Sequence, residues 1–139
     1  MKQDQVFIFD FDSTIVQVEG LDELAAISLA KSPDAKQRVA AIEEITRQGM
    51  DGTISITQSL KQRLSQIKAK RSHIDQLIKL LKKKITPSFK KNKSFLKRYR
   101  KQIYVLSSGF HEYVDPVIKE LGLLPEHVFA NTFTFNSDG

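Results

Sequence analysis

The sequence predicts an α/β fold: a core of parallel strands, interrupted after its first strand by a helical insertion of roughly seventy residues. Three observations carry that expectation. Val6–Phe9 reads VFIF, a continuous apolar run that suits a parallel strand buried on both faces. Ile103–Leu106, IYVL, is a second such run. Between Leu21 and Lys84 the chain instead carries four consecutive helix-like stretches, near 21–30, 34–48, 55–68 and 73–84.

Each element has its own local signals. Ser32-Pro33-Asp34 predicts an N-cap with proline at the first helical position. Asp51-Gly52 separates the second and third helices. Thr86-Pro87 ends the insertion. The stretch Phe89–Arg100 is expected to be a helix and supplies the crossover that parallel strands need. His111–Leu121 is a further helix, stopped by Gly122 with Pro125 beyond it. Val128–Ala130 is a third short strand, Thr132–Asn136 alternates like a hairpin arm, and Ser137-Asp138-Gly139 signals a turn. The expected division is 1–17 with 87–139 as the core and 18–86 as the helical domain.

Composition narrows the functional class. Hydrophobic residues at 40% and charged residues at 27% describe a soluble globular chain. No run of eighteen apolar residues is present, so no transmembrane helix is expected. The N-terminal MKQDQ lacks a signal-peptide layout, which makes the cytoplasm the expected location. Without cysteine there are neither disulfides nor thiolate zinc sites. His73, His111 and His127 lie far apart, at no ligand spacing, and read as surface or capping residues.

The net charge is +6, and Lys79–Lys101 holds eleven Lys or Arg and no acid. Such a stretch suits a nucleic-acid or acidic-lipid surface, or the solvated faces of helices. Leu77, Leu80, Leu81, Phe89, Phe95, Leu96 and Tyr99 interleave with the cations at helical spacing, which favours solvated faces. Neither a nucleic-acid nor a membrane partner is therefore expected.

The chemistry gathers where strands end. Ligands of open parallel sheets bind just beyond the carboxyl ends of the strands. Asp10 and Asp12 follow the first strand, and Ser107, Ser108 and Gly109 follow the second. If the strands are neighbours, carboxylates and hydroxyls meet in one crevice. Two close carboxylates repel unless a cation or a shared proton relieves them. Oxygen ligands of this kind suit Mg²⁺, a carboxylate is a nucleophile toward phosphorus, and a small-residue turn holds phosphate oxygens. Together these point to magnesium-assisted phosphoryl transfer.

Arg63 stands out on the helix near 55–68. It falls within the apolar stripe of Ile56, Leu60, Leu64 and Ile67. A guanidinium there requires a partner, such as a substrate carboxylate, or a snorkelling route to water; the stripe alone leaves both open. Glu19, in EGLDE, reads on its own terms as part of an acidic first turn.

DFDST, Asp10–Thr14, and VLSSGF, Val105–Phe110, resemble the first and second motifs of the haloacid dehalogenase-like superfamily. A helical insertion directly after the first motif resembles its class with a helix-bundle cap on a Rossmann-like core. Within that class the chain is similar to the phosphoserine phosphatase family. The matching stretches are DFDSTIVQVEGLDELA, MDGTISITQSLKQRL, ITP, VLSSGF and VFANTFTFNSDG, in unbroken order over nearly the whole chain.

The resemblance implies a phosphatase that makes L-serine, with a small phosphomonoester as its partner and a place in serine biosynthesis. By that resemblance Asp10 is the nucleophile that forms an aspartyl-phosphate. Asp12 is the general acid and then the base for water. The Asp10 carboxylate and the Asp12 backbone carbonyl are Mg²⁺ ligands. Ser107 holds the transferring phosphoryl group, Glu19 and Arg63 read the amino and carboxylate groups of phosphoserine, and Met50 lines the pocket.

Two departures matter. Ser108 stands where the family often has glycine, keeping the backbone N–H but adding a hydroxymethyl group. The family's later lysine and its Gly-Asp-Gly-x-x-Asp-like turn have no counterpart before Gly139. The expectation is that residues 1–139 are the front part of a longer protein, partnered by a C-terminal part of the same protein, with negligible turnover alone. Two readings stand beside this one: a same-fold phosphatase for another small phosphomonoester, and a non-catalytic phosphate- or metal-binding module.

Overall fold

The computed structural model describes residues 5–139; the first residues of the MKQDQ segment lie outside them. Three strands form one parallel sheet in the order β1-β2-β3: β1 Phe7–Asp10, β2 Ile103–Phe110 and β3 Val128–Asn131. Seven helices accompany them among the described residues. These are α1 Gly20–Leu29, α2 Ala35–Met50, α3 Ile56–Gln66, α4 Arg71–Lys83, α5 Pro87–Lys91, α6 Lys93–Arg98 and α7 His111–Glu120. No helix among the described residues is long and apolar enough to cross a membrane.

The chain divides into two compact units. One is the chain up to Glu19 together with Ile78–Gly139, and the other is Gly20–Leu77. In the first unit, Phe7 pairs with Ile103 and Asp10 with Leu106, so β1 ends beside the middle of β2, which runs on to Phe110. Phe7 and Phe9 pack edge-on against Phe95 and Phe89, with ring centroids 6.0 and 5.3 Å apart. Ile103, Val105 and Val128 are buried. The alternate residues Ile8, Leu106 and Phe129 are 63%, 48% and 57% exposed. Among the described residues β1 is an edge strand, and its Ile8 face is exposed where the apolar run predicts burial on both faces.

Three other expectations change in detail. Pro33 precedes α2 instead of opening it: the Ala35 N–H donates to the Ser32 carbonyl at 3.1 Å, a tight turn with proline at its second position. The helix expected over 89–100 breaks at Asn92, whose Nδ2 donates to the Ser88 carbonyl at 2.8 Å. A short amide side chain that bonds the backbone in this way competes with helix continuation. Residues 132–136 form no strand; the Phe133 ring stacks on Phe110 at 3.7 Å and its N–H donates to Glu112 Oε1 at 2.9 Å. In the basic stretch, Leu77, Leu81 and Leu96 are buried while the cations are exposed, apart from half-buried Lys82.

The second unit has a small apolar core. Ala25, Leu29 and Ile42 are buried, with Ala35, Val39 and Ile67 packed around them. A capping box starts α3: Gln58 N–H donates to Ser55 Oγ, and Ser55 N–H to Gln58 Oε1, both at 3.1 Å. Helices α2 and α3 approach closely at Gly49. A Cβ there would lie 2.7 Å from Ser59 Cβ and Oγ, so only glycine fits without parting the helices.

Candidate functional site

Asp10 is the last residue of β1 and is exposed. Its Oδ1 accepts the Phe11 N–H at 2.8 Å. The following turn, Phe11–Ile15, is closed by the Val16 N–H to the Phe11 carbonyl and by the Ser13 N–H to the Val18 carbonyl, both 3.2 Å. Asp12 is extended (φ −66°, ψ 136°) and only 7% exposed. Ser13 takes the left-handed conformation at φ 57°, an uncommon state for a residue with a side chain.

The returning chain straps this turn. Thr86 Oγ1 donates to the Thr14 carbonyl at 2.6 Å, Thr86 N–H to the Ile15 carbonyl at 2.8 Å, and Gln17 N–H to the Lys84 carbonyl at 2.9 Å. Phe11 and Ile15 anchor it from below, fully buried. The two acids therefore stand on a turn held by backbone bonds on both flanks. Ser13 Oγ donates to Glu19 Oε1 at 2.8 Å, which places Glu19 beside that turn.

Beside Asp10, strand β2 continues through the Ser107–Gly109 segment instead of ending before it. Its ladder to β3 is irregular there: Leu106 pairs with Phe129, and Phe110 with Asn131. The β2 segment between these pairs is two residues longer than its β3 partner, so the ladder is interrupted over Ser107–Gly109. Ser107 is half-buried, and its Oγ accepts the Gly109 N–H at 2.9 Å. Ser108 is exposed, and its carbonyl accepts Asn131 Nδ2 at 2.9 Å. A Cβ on Gly109 would collide with Tyr113 Oη and lie 3.0 Å from Ser107 Oγ. Glycine there lets the turn close on α7. The strand register thus brings Asp10, Asp12, Ser107 and Ser108 to one end of the sheet.

The donors at this end are all oxygens, with one exposed carboxylate. That set fits a hard divalent cation that keeps much of its water. Among the described residues no group of three or more His, Asp or Glu gathers to form a complete cage. His73 Nδ1 accepts the Lys70 N–H, His111 pairs with Asp115, and His127 Nδ1 lies 3.1 Å from the Ile103 carbonyl oxygen.

The remaining sequence candidates lie in the second unit. Met50 ends α2 and is 66% exposed. Arg63 is buried on α3, at 6% exposure, so it does not snorkel. Its Nη1 lies 3.6 Å from Asp22 Oδ1 on α1, and its Nε donates to the Ser59 carbonyl at 3.4 Å. Asp22 Oδ1 in turn accepts Thr46 Oγ1 at 2.6 Å. Burial pushes the Asp22 carboxyl above its ordinary value, against the opposing effects of the Thr46 hydroxyl and the Arg63 charge.

Sequence reasoning assigned no role to Asp22 or Thr46. Asp22 reads as one more acid of a first helical turn, and nothing local pairs it with an arginine 41 positions later. The usable signal was Arg63 itself, a buried cation that demands an acid.

A family model described as haloacid dehalogenase-like hydrolase matches residues 5–138. The phosphoserine phosphatase of Bos taurus is 33% identical over 131 residues, covering 94% of this chain and 55% of that protein. A phosphoserine phosphohydrolase-like protein from Francisella tularensis superposes with a TM-score of 0.85 at 33% identity, over 97% of this chain and 62% of that one. A phospho-aspartyl intermediate analogue of phosphoserine phosphatase gives a TM-score of 0.74 at 28% identity, over 98% and 60%. The chain spans about half the length of the curated relatives it matches.

Proposed function

This chain belongs to the haloacid dehalogenase-like hydrolases, and from that premise we propose that it carries the acid pair of a Mg²⁺-dependent phosphomonoester hydrolase acting on L-phosphoserine. The observation that carries the reading is the register of β1 and β2, which sets Asp10 beside Leu106 and hence next to Ser107.

On this reading Asp10 attacks phosphorus through its carboxylate. The P–O bond to the serine oxygen breaks, and Asp12 gives that oxygen its proton. Asp12 then takes a proton from water as the water attacks the aspartyl-phosphate, releasing phosphate and restoring Asp10. Burial of Asp12 on a strapped turn suits a group that must keep its place through both steps. The Asp10 carboxylate and the Asp12 carbonyl would hold Mg²⁺, which supplies charge stabilisation to the phosphoryl group. Ser107 Oγ accepts from Gly109, which leaves its own hydrogen to donate to a phosphate oxygen. Ser108 contributes its backbone N–H.

The helical unit is on this proposal the cap, and its Arg63 reads the substrate carboxylate, with Glu19 taking the amine and Met50 lining the pocket. Serine production in the cytoplasm belongs to the same proposal, as does the expectation that residues 1–139 alone turn over negligibly.

The test is a calorimetric binding panel with Mg²⁺: L-phosphoserine, phosphoethanolamine, 3-phosphoglycerate and inorganic phosphate. L-Phosphoserine is expected to bind most tightly, because only it has both the amine and the carboxylate. Equal affinity across the panel would reject the substrate assignment. Robust phosphate release by this chain would reject the expected inactivity.

A further inference from the structure

Arg63 is a mostly buried charge with few bonds. A guanidinium has five N–H donors. Here Nε makes one long bond to the Ser59 carbonyl, at 3.4 Å, and Nη1 faces Asp22 at 3.6 Å, beyond hydrogen-bond reach. A buried charge in this setting is costly unless further bonds complete it. Its anionic partner among the described residues, Asp22, is itself mostly buried, with a side chain 14% exposed.

What holds Asp22 is equally specific. Thr46 Oγ1 lies 2.6 Å from Asp22 Oδ1 and 3.1 Å from the Ile42 carbonyl, one turn back on α2. The hydroxyl hydrogen is shared between two acceptors and ties α1 to α2. Ser59, whose carbonyl meets Arg63, is fixed in turn by Ser59 Oγ donating to the Ile45 carbonyl at 2.9 Å. Three helices thus contribute one polar socket around a single guanidinium.

We infer that Asp22, held by Thr46, fixes the Arg63 guanidinium and is thereby a positioning residue for the ligand carboxylate that Arg63 reads. The assignment of a ligand carboxylate rests on the function proposed above; the fixing of Arg63 does not. The loose pairing is central. A bidentate carboxylate at hydrogen-bond distance would occupy the fork that a ligand needs. Asp22 at 3.6 Å neutralises and aims the guanidinium while leaving donors for a second anion.

The test uses the 139-residue chain and its variants Asp22→Asn, Thr46→Val and Arg63→Gln, with circular dichroism to check folding. The first readout is the Arg63 Nε–Hε resonance without ligand. Asp22→Asn should lose its protection from solvent exchange, and Thr46→Val, which keeps the carboxylate, should lose part of it. The second is affinity for L-phosphoserine against inorganic phosphate. Loss of one charge-assisted contact predicts about tenfold weaker phosphoserine binding in Asp22→Asn, with phosphate binding unchanged.

An unchanged Arg63 resonance in folded Asp22→Asn would overturn the inference. So would equal loss of both ligands with the resonance intact. If Asp22→Asn does not fold, Thr46→Val decides by the same resonance. Should Arg63→Gln bind phosphoserine as well as the parent, the ligand reading of Arg63 fails, while a resonance freed in Asp22→Asn still upholds its fixing by Asp22.

Discussion

Two arginines in the helical unit make opposite uses of the same chemistry. Arg47 on α2 is exposed and well bonded: Nη2 meets Glu44 at 2.6 Å and Nη1 meets Asp51 at 2.7 Å. Arg63 on α3 is buried and poorly bonded, 3.6 Å from its acid partner among the described residues, Asp22. The contrast teaches that short ion-pair distances do not mark the consequential charge. Around Arg47 water and salt compete with every contact, so good geometry contributes little. Arg63 is only 6% exposed, so water competes far less there, and its incomplete set of bonds leaves donors for an anion.

Breaking that contrast is most costly at Arg63. Arg63→Ala leaves Asp22 buried without its cation and should destabilise the unit by about 3 kcal/mol, read as a shift in urea midpoint. Next comes Gly49→Ala. Its new Cβ meets Ser59 at 2.7 Å, forcing α2 and α3 apart at a cost of about 1–3 kcal/mol and disturbing the Ser59 carbonyl that Arg63 uses. A smaller effect separates the two clusters by pH. Burial raises the folded Asp22 carboxyl above its ordinary 3.8. The folded state therefore binds more protons just above that pH, and stability falls as pH rises through the window. Arg47 holds Glu44 below its usual range, with the opposite sign: stability present above 4.5 and lost as pH falls. Asp22→Asn should gain on the parent as pH rises from 3 toward 7 in urea titrations. Arg47→Ala should have the least effect, leaving the midpoint in high salt unchanged.

The placement of the candidate residues at one end of the sheet was more legible than the packing. DFDST and SSGF are conspicuous because their acids and small polar residues directly follow apolar runs, where open parallel sheets bind ligands. Strand polarity then places them together before any contact is known. The open face of β1 was not legible, because an apolar run does not say which of its faces is covered. Nor was the break at Asn92, where one side-chain bond to Ser88 outweighs helical periodicity. Asp22 and Thr46 stayed hidden because their meaning lies in a contact across three helices, and a single sequence carries no record of which helices meet.

The central claim is that Asp10 accepts a phosphoryl group. Beryllium fluoride mimics such a group on an aspartate, so ¹⁹F NMR of the chain with BeF₃⁻ and Mg²⁺ tests it without requiring turnover. The account predicts a bound fluoride signal that needs Mg²⁺ and disappears in Asp10→Asn while surviving in Arg63→Gln. A bound signal that persists in Asp10→Asn, or no bound signal in the unmodified chain, would contradict it.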